Sequence, residues 1–181
     1  MEPAPSPLAA FARREPRLGK IFEELNAGTL YPFSAWPVQE VPSSAGVYSI
    51  WRGEEFLYVG AASGPGYRAG QPPAPSSDIK GLRAQLRGHW LGLRSGDPFC
   101  IYVCDRMVLP QLKGHDRAAL SAGGKSLDEL TKNFIQANLS FRFAPAINSA
   151  EALRVQRLLL RHGLPGRGRP VLNPTTTVEE R

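Results

Sequence analysis

The stretch that most constrains the fold is residues 46–60, GVYSIWRGEEFLYVG. Two short runs with strand character, Val47–Trp51 and Phe56–Val59, flank a polar segment containing Gly53. That is a hairpin pattern, with strand formers on either side of a residue able to take the positive φ of a tight turn. With a three-residue loop, Arg52, Gly53 and Glu54, Tyr48 falls opposite Tyr58. Alternation along the strands then sends both phenols to one face of the sheet.

At 181 residues, 42% apolar and 21% charged, the chain is sized for one globular domain with some decoration. No apolar run approaches the roughly 20 residues of a membrane span. The opening MEPAPSPLAAFARREPR lacks the basic start and long apolar segment of a secretory signal. No membrane association and a cytoplasmic location are therefore expected. The net charge of +6 and a pI near 9.7 come largely from arginine clusters. The guanidinium fork suits phosphate, which points to DNA as partner; a basic surface that only aids solubility is the plain alternative. Cys100 and Cys104, read as part of a strand FCIYVCDR, are separated by roughly 13 Å, too far for a disulfide. No Cys/His spacing suggests zinc, so both are expected to be reduced core residues.

Taken in order, residues 1–17 are Pro- and Ala-rich and are expected to be disordered. Residues 18–44 hold a helix, with Leu18, Ile21, Phe22 and Leu25 on one face and Gly28 as its stop, and then a proline-bearing loop. The main domain spans 45–174, with a Gly/Pro/Ser-rich loop insertion at 61–77 that reads equally as a binding loop or a surface insertion. A helix from Asp78 to about Leu93, capped by Ser77 or Asp78, carries Leu82, Leu86, Trp90 and Leu93 on one face. Phe99–Asp105 reads as a third strand, and Ser126-Leu127-Asp128-Glu129 opens a helix to about Ala137. Ser140–Phe143 is a short strand, Asn148–Glu151 opens a final helix ending near Gly163, and 175–181 is a polar tail. This order predicts an α+β fold, a small, mostly antiparallel β-sheet flanked by helices.

The triplets Gly46-Val47-Tyr48 and Tyr58-Val59-Gly60 resemble the double signature of the GIY-YIG nuclease family. The order of hairpin, helix, third strand and further helices is similar to that family's fold. The resemblance covers about Ala45 to Pro174. It implies a DNA endonuclease that hydrolyses phosphodiesters with one divalent metal, Mg²⁺. It also implies roles: the first tyrosine helps activate water, the second lines the phosphate site, and an arginine on the first helix after the hairpin stabilises developing charge. A glutamate on a later helix holds the metal, and an asparagine in a PLLN-like segment completes the site. These parts meet what the reaction requires, an activated water and stabilisation of a crowded anionic phosphorus and leaving oxygen.

Carried onto this chain, Tyr48 and Tyr58 match the two tyrosines, and Asn173 in Pro170–Pro174 matches the asparagine. The segment LRAQLRGH, residues 82–89, is similar to the family's LRxRLxxH and aligns His89 with its histidine, which either touches phosphate or packs in the core. That register puts Gln85 in the arginine slot. Arg83 and Arg87 each lie two residues away, about 200° round the helix. Likewise Ala152-Leu153-Arg154-Val155-Gln156, similar to ALxIE, puts Gln156 in the metal-binding glutamate slot. Glu151, about 140° away, is better placed to cap with Asn148. Losing one preorganised stabilising donor costs about 10²–10³ in rate, and an amide oxygen holds a divalent cation far less well than a carboxylate does.

The expected function is therefore a nuclease-type protein that binds DNA with hydrolysis weak or lost. One alternative is an active Mg²⁺-dependent endonuclease whose missing groups come from Arg68, Glu54 or Glu55. Another is a structural or protein-binding domain with no nucleic-acid role. Arg83, Arg87, Arg154, Arg157 and Arg161 are the candidate DNA contacts, with Arg167 and Arg169 just beyond; a solvated helix face is the ordinary explanation for such a run. The glycines of 163–168 do not match a phosphate-binding loop, since neither a preceding strand nor a following Lys-Ser/Thr is present.

Overall fold

A computed structural model describes residues 7–64 and 81–174. The elements are α1 (Pro7–Arg14), α2 (Pro16–Ala27), β1 (Tyr31–Pro32), β2 (Gly46–Arg52), β3 (Glu55–Ala62), α3 (Gly81–Leu91) and α4 (Pro98–Val103). They continue with α5 (Gly114–Ser121), α6 (Leu127–Asn138), β4 (Ser140–Pro145) and α7 (Ser149–His162). The strands form one antiparallel sheet in the order β1-β4-β2-β3, so β2 is interior and β3 is an edge.

Local chemistry accounts for most of these elements. Leu18, Ile21, Phe22 and Leu25 form the buried stripe of α2, which Pro16 opens with its pre-set φ. Ser126 accepts the Glu129 backbone N–H and starts α6. Asn148 does the same for Glu151 at α7, while the Glu151 carboxylate reaches back to the Ile147 N–H. Gly163 ends α7 at φ +74, where a Cβ would stand 2.2 Å from the backbone of Gly168.

One sheet face carries Tyr48, Ile50, Leu57 and Tyr58 against α3, α4 and α6, with Leu82, Leu86, Phe99, Val103 and Ile135 filling that layer. The opposite face carries Val47, Trp51, Phe56 and Val59 against α1, α2 and α7. The fold is thus α+β, an antiparallel sheet between helical layers, as expected from the sequence. No described helix is long and apolar enough to cross a membrane.

Several expectations change. Residues 7–14, expected to be disordered, form α1, because Leu8 is buried against the layer that α2 and α7 build. The hairpin loop is Gly53 and Glu54, with Arg52 paired to Glu55, and the register slips between Ile50 and Trp51. Tyr58 therefore faces Ile50, and Tyr48 faces Gly60. The irregularity is a bulge that turns Leu57 and Tyr58 to the same face, so the two tyrosines still share a face but as diagonal neighbours.

The run Phe99–Asp105 is helical, not a strand. Asp97 caps α4 by accepting from the N–H groups of Phe99 and Cys100, Pro98 suits its first turn, and the chain continues through a π-helical turn at Cys104–Val108. The buried positions, Phe99, Cys100, Val103 and Cys104, follow helical spacing, but an apolar residue on the exposed side, Ile101, hides that periodicity in so short an element. Cys100 and Cys104 are free and buried, as core helix residues one turn apart. Leu93, expected on the buried face of α3, lies beyond its end and is 50% exposed. The expected caps Ser77 and Asp78, and most of the insertion, fall outside the described residues.

Candidate functional site

The hairpin positions the site through its glycines. A Cβ on Gly60 would stand 2.1 Å from Tyr48 Oη, so the ring can lie across β3 only because that residue is glycine. A Cβ on Gly46 would meet Leu82 Cδ1 at 2.4 Å, so its bareness lets α3 pack onto the sheet. The N-terminus of α3 is held there by the backbone at 42–44, with Leu82 N donating to Ser44 O and Arg83 N to Pro42 O.

Beneath the hairpin runs a chain of polar groups. Tyr48 Oη is 2.7 Å from His89 Nε2, and His89 Nδ1 is 2.6 Å from Asp97 Oδ2. Tyr48 and His89 are 2% and 1% exposed. Tyr58 is half-buried beside them, its ring centroid 6.4 Å from that of Tyr48 and in edge contact with His89. Burial pushes the Asp97 carboxyl up, but the hydrogen bonds from His89 and Cys100 outweigh it and hold the group below its ordinary value. An ionised Asp97 fixes the proton on His89 Nδ1, so a neutral imidazole accepts the Tyr48 O–H at Nε2.

Burial keeps the Tyr48 phenol protonated well above its ordinary range, with Tyr58 and Asp97 adding to the effect and the Gln85 side chain opposing it. Burial, then Asp97 and Tyr102, push Tyr58 up to about 12. Neither tyrosine is a tyrosinate at neutral pH. The connectivity is that of carboxylate–imidazole–hydroxyl triads, but the burial that keeps the phenol protonated holds this proton on Tyr48 at neutral pH. His89 lies behind Tyr48 and, at 1% exposure, does not itself reach a surface phosphate.

Asp97 is the functional candidate that the motifs miss. Its cue is Asp97-Pro98, a helix cap followed by a first-turn proline, which the apolar run after it obscures.

Around this buried chain the rim is built of amides. Gln85 is exposed and lines an open cleft of about 250 Å³ with Leu93, Ser95, Gly96 and Asp97. At the outer edge of β3, Asn173 grips one residue twice: its Oδ1 accepts Val59 N–H at 2.9 Å, and its Nδ2 donates to Val59 O at 3.0 Å. Gln156 Nε2 reaches the same carbonyl at 3.4 Å from α7. The edge is sealed further by Val171 N to Phe56 O and Leu172 N to Leu57 O. Asn173 therefore satisfies backbone groups that an edge strand would otherwise expose. Two predicted residues, Gln156 and Asn173, thus meet at Val59, next to Tyr58, while Tyr48, His89 and Gln85 gather on the face with α3.

Neither a scan of protein-family models nor a search of curated proteins returns a match to this chain.

The donor set at the β3 edge does not fit Mg²⁺. Gln156 and Asn173 are neutral, and the Asn173 oxygen is engaged by Val59, whereas a hard cation calls for carboxylate oxygen. Glu54 and Glu55, the nearest acids in the hairpin, are paired with Arg167 and Arg52. His89, Asp97 and Cys100 bring ligand atoms within 4.8 Å of one another, but these atoms hydrogen-bond among themselves, and burial with Asp97 nearby pushes the Cys100 thiol strongly up. That cluster is a hydrogen-bond network rather than a hard-cation site.

Of the candidate DNA contacts, Arg83 donates to Gln39 O at 2.8 Å and Arg154 pairs through both terminal nitrogens with Glu15. Arg87, Arg157 and Arg161 are exposed. Arg68 lies outside the described residues.

Proposed function

We propose that this chain is a DNA-binding protein built on a GIY-YIG-type nuclease scaffold, with phosphodiester hydrolysis weak or lost. The observation that carries the reading is the contrast of a hydrogen-bonded Tyr48–His89–Asp97 chain with amides in both charged slots, Gln85 at the cleft and Gln156 at the Val59 carbonyl. Such a protein keeps the tyrosine–histidine core of the scaffold and lacks the charges that would neutralise the developing anion and hold a metal. The net charge of +6 and the exposed arginines of α3 and α7 favour a polyanionic partner.

The aligned Tyr48–His89–Asp97 chain also favours a second reading, an endonuclease whose missing charges come from elsewhere in the molecule. Duplex binding measured by fluorescence anisotropy tests the first reading. Affinity that falls steeply between about 50 and 200 mM salt supports it, because phosphate contacts release counterions. Flat, negligible binding overturns both.

A further inference from the structure

One arginine outside the motif residues stands at the same sheet edge. Arg106 lies on the π-helical turn Cys104–Val108, where Cys104, Met107 and Val108 are buried and Asp105 and Arg106 face solvent. Such turns displace side chains from the α-helical register and recur at functional sites. The Arg106 guanidinium lies 5.8 Å from the centroid of the Tyr102 ring, and its Nη1 donates to Val171 O at 3.0 Å. Val171 belongs to the segment sealed onto β3, two residues before the Asn173 grip on Val59. Phe99 of α4 packs on Tyr58 with ring centroids 5.1 Å apart, and Tyr102 lies about one turn further along the same helix. Arg106 and Tyr102 therefore lie on the α4 side of this edge, while Gln156 reaches the Val59 carbonyl from α7.

The chemistry of this placement is specific. A guanidinium has five N–H donors in a planar fork, and the Val171 carbonyl occupies one of them. The side chain is exposed, yet the ring and the carbonyl orient it, so less freedom is lost when it grips an anion. We propose that Arg106, backed by Tyr102 and held by the Val171 carbonyl, is the phosphate-binding arginine of this site, gripping a nucleic-acid phosphodiester beside Tyr58 and Asn173. This rests on the reading of the chain as a DNA-binding protein and adds a phosphate contact at the β3 edge; it does not restore the charge missing from the Gln85 cleft.

The test uses the full chain and a duplex of about 12 base pairs, with anisotropy read between about 50 and 200 mM salt. Arg106→Gln keeps a donor for Val171 O and removes the charge, so a residue that only tethers the C-terminal segment tolerates it. Arg106→Lys restores the charge without the fork, and Arg117→Gln removes one exposed charge from α5. Arg106→Gln is expected to weaken binding roughly tenfold and to reduce the salt slope by about 1, with Arg106→Lys recovering part. Arg117→Gln stays within about twofold of the unaltered chain, and thermal melting of every variant matches it. If Arg106→Gln binds like the unaltered chain, or Arg117→Gln loses as much, the Arg106 assignment is overturned while DNA binding stands. If the unaltered chain shows no salt-sensitive binding, the DNA reading itself fails, and the Arg106 site with it.

Discussion

The buried chain beneath the hairpin and the amide rim around it are made of similar side chains under opposite constraints. Tyr48 and His89 are enclosed, Asp97 stands in the cleft wall, and the three are joined by hydrogen bonds of 2.7 and 2.6 Å, so each is fixed by the cost of leaving its neighbour unpaired. Gln85 lies open at a cleft, and Gln156 makes only a long contact to a backbone carbonyl. The inner set is thus part of the fold, as is Asn173 with its double grip on Val59, whereas Gln85 and Gln156 contribute little to it. A change at Gln85 or Gln156 leaves the packing almost untouched; a polar group in the inner chain cannot be lost so quietly.

The largest break in that comparison comes from Asp97→Ala. It removes the cap of α4 and the charged partner of buried His89, and is expected to cost about 3 kcal/mol in urea unfolding. A loss under about 1 kcal/mol would place Asp97 with the rim residues instead. Next is Gly60→Ala, which drives a methyl into the Tyr48 ring and is expected to cost about 2 kcal/mol. Combined with Tyr48→Ala the same change becomes nearly neutral, and a double-mutant cycle reads that coupling directly.

Acid and base titration sharpen the comparison from the inside. The Asp97 carboxyl sits below its ordinary 3.8 in the folded chain. The unfolded chain takes up that proton first, so the stabilisation is present above 3.8 and is lost as pH falls through the folded value. Asp97→Asn should flatten this acid limb. For Tyr58 the folded value is about 12 against an ordinary 10, so its contribution is present below pH 10 and lost as pH rises through about 12. Tyrosinate absorbance at high pH, compared with Tyr58→Phe, follows that group. The smallest effect belongs to the rim: Gln85→Arg and Gln156→Glu should each change unfolding stability by about 0.5 kcal/mol or less.

What was legible in the sequence follows the range of the interactions. The stripe of α2, the Ser126 and Asn148 caps and the Gly163 stop are local signals and appear where they were expected. The hairpin was legible, but its register was not, because the bulge at Leu57 leaves no mark in composition. Phe99–Val103 reads as a strand because apolar Ile101 on the exposed side masks the helical spacing of the buried residues, and α1 is hidden by a Pro/Ala-rich composition whose Leu8 finds its layer only in three dimensions. Of the candidate site, the motif named Tyr48, Tyr58, His89 and Asn173; that the first three are neighbours and that Asn173 lies at the β3 edge comes from the fold. Asp97 and Arg106 reach the same region from α4 and the turn after it, by contacts that no sequence spacing encodes.

The most direct test of the central claim is cleavage of supercoiled plasmid with Mg²⁺ by the unaltered chain, by Gln85→Arg/Gln156→Glu, and by that double variant carrying Tyr48→Phe. Only the double variant is expected to cut, and Tyr48→Phe silences it. Cleavage by the unaltered chain, abolished by Tyr48→Phe alone, would mean that the amide rim is no barrier to hydrolysis and would overturn the proposed function.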